Sequence, residues 1–185
     1  MKVFSADFLN NLTAQAQGSP RKRQHRNIHE SYQDPCQRLF NAIEPGSYIR
    51  PHRHASDPRD ELLIAVRGSM ALVTFDEQGM VTEAVRFGER RNGEDFAVCV
   101  EVPAGTWHIV IALQSGSVLL EVKAGPFDPN QPKDLAPWAP DEGSPPALAY
   151  LNKLIGLVER YPNGQISDAE IPLDPTARSQ SPIGF

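Results

Sequence analysis

Apolar residues along the chain change their period twice. Near the N-terminus Phe8, Leu9, Leu12 and Ala16 recur at intervals of three and four, the spacing of one helix face. Ser5 is placed to cap that helix and Gly18-Ser19-Pro20 to stop it. From Gln37 to Lys123 the runs shorten and fill with Val, Ile, Leu and Phe, which predicts strands over 37–43, 48–54, 61–66, 70–76, 81–87, 97–102, 108–113 and 117–123. Glu44-Pro45-Gly46, Asp76-Glu77-Gln78-Gly79, Asn92-Gly93 and Ser115-Gly116 supply the turns between them. Beyond Lys123 the texture changes again. Seven prolines between Gly125 and Pro146 predict an extended strap laid on a surface. Leu148, Leu151, Ile155 and Val158 then define one face of a second helix over 147–160. Residues 161–185 are polar and proline-rich and read as a mobile tail.

About eight short strands with tight turns and no helix between them predict an all-β jelly-roll barrel, with a short N-terminal helix and a C-terminal strap plus helix. The expected boundaries are 1–25 for the N-terminal helix and linker, 26–127 for the barrel and 128–185 for the strap, helix and tail. A chain of 185 residues suits one well-buried core.

Composition narrows the function classes. The net charge of −5 and pI near 5.5 argue against a nucleic-acid partner, which favours a basic surface. No apolar run approaches the roughly 20 residues that cross a bilayer. The N-terminus lacks the unbroken apolar stretch of a secretory signal, so a cytoplasmic location is expected. Cys36 and Cys99 make no disulfide framework. Cys99, in the run Phe96-Ala97-Val98-Cys99-Val100, is expected to be a small buried hydrophobe, and Cys36 is a weaker candidate for a pocket thiol. The basic stretch Arg21-Lys22-Arg23-Gln24-His25-Arg26 reads as a solvated linker.

The chemistry concentrates in two places. His52 and His54 lie two residues apart, so on a strand both imidazoles point to one side. A carboxylate from the next strand and a third imidazole from a later one can then surround a single ion. Imidazole and carboxylate together suit Fe, Mn, Zn, Ni or Cu as divalent ions. Pro103 and Gly105 form a tight entry that would aim His108 inward.

Gly46-x5-His52-x-His54…Glu61-x6-Gly68 resembles the first cupin motif, and Pro103-x-Gly105-x2-His108 resembles the second. By that resemblance His52, His54, Glu61 and His108 are the ligands of one divalent metal ion inside a jelly-roll barrel. Six residues separate His54 from Glu61, where cupins usually have three or four, which leaves Asp57 and Asp60 as rival carboxylates. Glu61 is preferred because its spacing to Gly68 is the usual one and it opens an apolar strand. Ala97 and Ala112 stand where the second motif commonly has Gly and Asn. Further segments, among them Pro45-Gly46-Ser47-Tyr48-Ile49-Arg50-Pro51-His52, Glu121-Val122-Lys123-Ala124-Gly125-Pro126 and Lys133-Asp134-Leu135-Ala136-Pro137-Trp138-Ala139-Pro140, are similar to the WbuC family of cupin-fold metalloproteins, over 26–142. That family is associated with O-antigen and surface-polysaccharide gene clusters. The resemblance implies a metal ion (Fe, Zn, Mn or Ni) and a sugar or small carboxylate as ligand, with a homodimer as the expected assembly.

Around the metal, Tyr48 and Arg50 share parity with His52 and His54 and are expected to face the same interior. Tyr48 would move a proton, and Arg50 would clamp an anion or pair with an acidic neighbour. Arg38 lies among apolar residues and needs a counter-charge, from a protein carboxylate or from a ligand. His29 and Asn27 would hydrogen-bond a metal-bound ligand or cover the opening. Glu121 and Lys123 share one face and would pair, or one would reach the pocket. Trp107 should point away from the metal, and Trp138 should anchor the strap. Three readings stay open: a metal-dependent enzyme (a sugar isomerase or modifying enzyme, or a dioxygenase), a non-catalytic small-molecule-binding protein, and a structural metal site.

Overall fold

The computed structural model describes residues 1–54, 58–89, 97–130, 133–161 and the backbone of 163–165. The rival carboxylate Asp57, the Asn92-Gly93 turn and most of the expected tail lie outside the described residues.

The Ser5 hydroxyl accepts a hydrogen bond from the Phe8 amide and opens helix α1 (Ala6–Gly18). Strands β1 (Arg23–Asn27), β2 (Cys36–Ile43), β3 (His52–Arg53), β4 (Glu61–Arg67), β5 (Ser69–Phe75), β6 (Val81–Gly88), β7 (Cys99–Val102), β8 (Trp107–Ala112), β9 (Ser117–Ala124) and β10 (Asp134–Leu135) follow, then helix α2 (Pro145–Arg160) and β11 (Asn163–Gln165). They form two sheets of antiparallel neighbours, one ordered β1-β2-β9-β4-β7 and the other β10-β3-β8-β5-β6-β11. From β2 to β5 and from β6 to β10 each strand crosses to the other sheet, which gives the two-layer jelly roll that the strand pattern predicts. Among the described residues no helix is long and apolar enough to cross a membrane.

Side-chain alternation sorts the apolar residues into three layers. Between the sheets lie Ile43, Leu63, Met70, Leu72, Phe87, Val102, Val110, Ala112 and Leu119. On the outside of the five-stranded sheet, Phe40, Ala42 and Val118 pack against Leu12 and Ala16 of α1. On the outside of the six-stranded sheet, Ala71, Val73, Ile109 and Ile111 pack against Tyr150, Leu151, Leu154 and Val158 of α2. Full burial of each large aliphatic side chain here stabilises the fold by roughly 1.5–3 kcal/mol. The buried stripe of α2 is rotated from the expected one, because Leu148 is 56% exposed while Leu154 and Leu157 are buried.

Three other expectations change. The strand over 48–54 shrinks to His52–Arg53, since Pro51 has no amide hydrogen to continue the ladder. The basic stretch taken for a linker contains β1, an edge strand of mostly exposed polar residues and so without an apolar alternation to announce it. Cys99 is exposed rather than buried, because Val100 and Val102 take the inward side of β7.

The strap is tied to the barrel by arginines. Arg50 donates to the Ala136 carbonyl at 2.6 and 3.0 Å and pairs with Asp141. Arg53 bonds Glu77 at 2.6 Å and Asp134 at 3.4 Å. Arg21 and Arg23 each reach Glu142 at 2.6 Å. Trp138 rests against Phe75 with ring centroids 4.9 Å apart and against Gly79, which has a φ of +85° and no room for a side chain.

Candidate metal centre and ligand cavity

One end of the space between the sheets is filled by the apolar layer. The other opens as a cavity of about 570 Å³. Strand register arranges its wall in rows. On the five-stranded sheet His25, Asn41 and Leu119 lie side by side, then Asn27, Leu39, Glu121 and Leu63, then Gln37, Lys123 and Glu61. On the facing sheet His52 pairs with His108, and His54 follows at the end of β3.

Glu61 is the centre of this arrangement. It is 4% exposed, and its Oε1 lies 3.2 Å from His54 Nε2 and 2.9 Å from Lys123 Nζ. Its Oε2 lies 3.3 Å from His108 Nε2. Burial by itself would raise the Glu61 carboxyl. The neighbouring His108 and His54 rings, with the Lys123 ammonium, outweigh it and hold the group well below the usual carboxylate range. Burial, helped by the positive charge of Lys133, pushes His52 well below the usual imidazole value, so its ring is neutral at pH 7. The His52 and His108 rings are 4.6 Å apart.

The far side of two rings fixes which nitrogen faces the cavity. His108 Nδ1 is 2.9 Å from the Thr106 carbonyl and His52 Nδ1 is 3.1 Å from the Arg50 carbonyl. A carbonyl oxygen only accepts, so each Nδ1 carries the hydrogen and a neutral ring turns a bare Nε2 toward the cavity. His108 Nε2 and Glu61 Oε2 then stand as two acceptors 3.3 Å apart, an arrangement that needs a positive species: a proton on the ring or a cation held by both. Separations of 3.2 and 3.3 Å are those of neighbouring donors sharing one ion at bond lengths of about 2.0–2.2 Å. The donor chemistry therefore fits a divalent first-row metal. Among the described residues no cluster of three or more His, Cys, Asp or Glu side chains is drawn together as a finished metal site, and the Lys123 ammonium occupies one face of the Glu61 carboxylate.

The remaining candidates separate. His29 lines the cavity and is 8% exposed. Asn27 lines it as well, whereas Tyr48, Arg50 and Arg38 do not. With the strand broken before His52, alternation no longer holds for Tyr48 and Arg50. The Tyr48 ring packs beside Tyr150 under α2, and its hydroxyl donates to the Pro140 carbonyl at 2.9 Å. Arg50 is committed to the strap. Arg38 finds its counter-charge in Asp34, at 2.9 Å. Asp60 accepts from the Ala104 amide at 2.8 Å instead of entering the cavity. Trp107 points outward, its indole N–H donating to Glu77 and its ring beneath the Arg53 guanidinium at 4.2 Å. Glu121 and Lys123 pair at 3.3 Å and also line the cavity. Sequence reasoning missed Lys133 and Asn41 as lining residues. Lys133 sits in a proline-rich segment without periodicity, and only the pairing of β10 with β3 brings it to the cavity.

A family model described as a domain of unknown function (DUF6016) matches residues 4–87. No curated protein matches the chain. Among solved structures the fold is similar to that of protein SO0799 from Shewanella oneidensis, at 13% identity and a TM-score of 0.51, covering 72% of this chain and 85% of the other. KdgF from a Halomonas species matches at 17% identity and a TM-score of 0.44, over 60% of this chain and 86% of its own. Rru_A2000 from Rhodospirillum rubrum, described as a cupin-2 domain, matches at 14% identity and a TM-score of 0.43, over 71% and 79%. At these identities the likeness to SO0799 is one of fold, and the two lower scores carry no argument.

Proposed function

We propose that this chain is a cupin-type metalloprotein that binds one divalent metal ion through His52, His54, Glu61 and His108 and presents it to a small polar molecule in the cavity. The observation that carries the reading is the facing pair of acceptors, His108 Nε2 and Glu61 Oε2, in a buried site whose imidazole hydrogen is already committed to the Thr106 carbonyl. The motif resemblance supports it independently. When bound, such a metal supplies Lewis-acid polarisation of an oxygen on the ligand.

The chain's own residues bind and orient. Leu39, Leu63, Val110 and Leu119 give the chamber an apolar wall. Asn27 and Asn41 offer amides to hydroxyl groups, while Gln37 spends its amide hydrogens on the Tyr32 and Asp34 carbonyls and holds the neighbouring loop in place. Lys123 Nζ lies between Glu61 and Glu121, the position from which a proton would move to or from a bound ligand. Similarity of residues 26–142 to the WbuC family supports a sugar or small anionic metabolite of surface-polysaccharide biosynthesis as the molecule handled, with isomerisation or another modification as the reaction.

Elemental analysis of the purified full chain, repeated on His108→Ala and His52→Ala, tests the metal. About one equivalent in the wild type and a loss of most of it in both variants is the expected result. Full retention in both would place the metal elsewhere, and absence from the wild type after incubation with Mn²⁺, Fe²⁺, Ni²⁺ and Zn²⁺ would refute the reading.

A further inference from the structure

Once the metal is granted, the cavity has a charge that its own residues leave unbalanced. The carboxylates of Glu61 and Glu121 are matched by the ammonium groups of Lys123 and Lys133. At the rim Arg21 and Arg23 share a single carboxylate, Glu142. A divalent ion therefore leaves the chamber at least doubly positive, in a partly apolar enclosure where unbalanced charge is costly.

Two groups on the wall have a nitrogen without a partner among the described residues. Lys133 makes no hydrogen bond or ion pair with any described residue, although Lys123 is doubly paired. Lys133 is an exposed residue whose side chain lines the cavity, and desolvation by the surrounding wall lowers its ammonium from the usual lysine value against the pull of Glu121. The second group is His29. Its Nδ1 lies 3.0 Å from the Arg38 amide and 2.8 Å from the Arg38 carbonyl, which also takes the Ile28 amide at 2.8 Å. Its Nε2 is buried and has no hydrogen-bond partner among the described residues. Register brings both groups to the metal end. Lys133 precedes the Asp134–Arg53 pair, beside the end of β3 that carries His54. The His29 amide lies 3.4 Å from the Arg38 carbonyl, next to the row of Gln37, Lys123 and Glu61.

We propose that the ligand is a small doubly charged oxyanion, a dicarboxylate or a phosphate monoester, held at one end by the metal centre and at the other by the Lys133 ammonium. This names the ligand class of the site described above and rests on that metal reading. The strap thereby contributes a ligand-binding residue.

Full-length protein loaded with Co²⁺, whose visible absorption reports changes among its ligands, is titrated with malonate, succinate and glycerol 3-phosphate, and with malonamide as the uncharged control. Wild type should bind at least one of the dianions and not malonamide, and the arm that binds separates carboxylate from phosphate. Lys133→Met should weaken that binding about ten- to a hundredfold, the worth of one charge-assisted contact, with cobalt uptake unchanged. Lys133→Arg should restore most of it. If the wild type takes up no cobalt, the metal reading fails and this one with it. Cobalt uptake with no preference for the dianions overturns the ligand class alone. Dianion binding that Lys133→Met leaves intact overturns the assignment of Lys133.

Discussion

Replacing Glu61 by Gln keeps the shape of the side chain and removes its charge, so it separates the apo network from the metal site. In the apo protein, Lys123 loses its 2.9 Å partner but keeps Glu121 at 3.3 Å. The new amide can donate to one of the imidazole nitrogens that lie 3.2 and 3.3 Å away. Breaking a buried pair outright costs about 3–5 kcal/mol. A retained partner and one recovered hydrogen bond of about 1 kcal/mol reduce that to about 2 kcal/mol. For a chain of this size the loss corresponds to a melting temperature lower by about 4–8 °C in EDTA. With metal present the difference should widen. A ligand at a hundred times its dissociation constant adds about 2.7 kcal/mol to the wild type, or about 5–10 °C, and Glu61→Gln should recover less than a third of that gain. Thermal unfolding followed by circular dichroism, in EDTA and then in excess Ni²⁺ or Mn²⁺, reads both numbers. A metal-induced rise in Glu61→Gln as large as in the wild type would show that this carboxylate is not a ligand and would remove the basis of the proposed centre.

Tyr48→Phe should cost about 1 kcal/mol through the lost bond to the Pro140 carbonyl, measured by urea unfolding, and leave dianion affinity unchanged, since the ring lies under α2. Gly79→Ala should destabilise by about 2–4 kcal/mol, because the new methyl would lie 2.5 Å from Trp138 at a backbone angle of +85°; a melting temperature equal to the wild type's would contradict the packing. Glu142 is held below its usual value: burial alone would raise it, but hydrogen bonds from Arg21 and Arg23 prevail. A carboxyl depressed in the folded state contributes stability above its unfolded value of about 4.3 and loses it as the pH falls, so Glu142→Gln should be about 1 kcal/mol less stable than the wild type at pH 7 and nearly equal to it at pH 3. Native protein should react quickly with a thiol reagent at Cys99 and more slowly at Cys36, and equal slow rates would contradict the exposed side of β7.

Where the sequence was legible, a physical rule acted locally. Ser5 and the apolar spacing behind it located α1, and runs such as Glu61–Arg67 and Ser117–Ala124 were found to within a residue or two, because sheets covered on both sides demand apolar residues. Alternation put His52 and His54 on one side, and the resemblance to the cupin motifs joined Glu61 and His108 to them; the structure brings all four to one end of the barrel. Errors arose where that rule lapsed. Alternation does not extend back from His52 through Pro51 to Tyr48 and Arg50, because that segment is not a strand. β1 carries polar residues on both faces, so no period marks it. Lys133 and Asn41 reach the cavity through pairings between segments far apart in the chain, and those pairings leave no mark in the local sequence.

The walls of the barrel have a bearing on how such a protein diversifies. Along β2 and β9 one set of alternate positions meets the chamber and the core beside it, while the other faces outward, where Phe40, Ala42 and Val118 meet α1, so two nearly independent texts are interleaved in the same residues. A single inserted residue in either of these strands would exchange the two and turn the polar lining outward. Point replacements at 41 or 121 would instead change what the chamber offers while leaving the outer contacts alone. Descendants of this chain should therefore acquire new small-molecule preferences by exchanging letters within strands of fixed length, and should vary in length only at the connections between them.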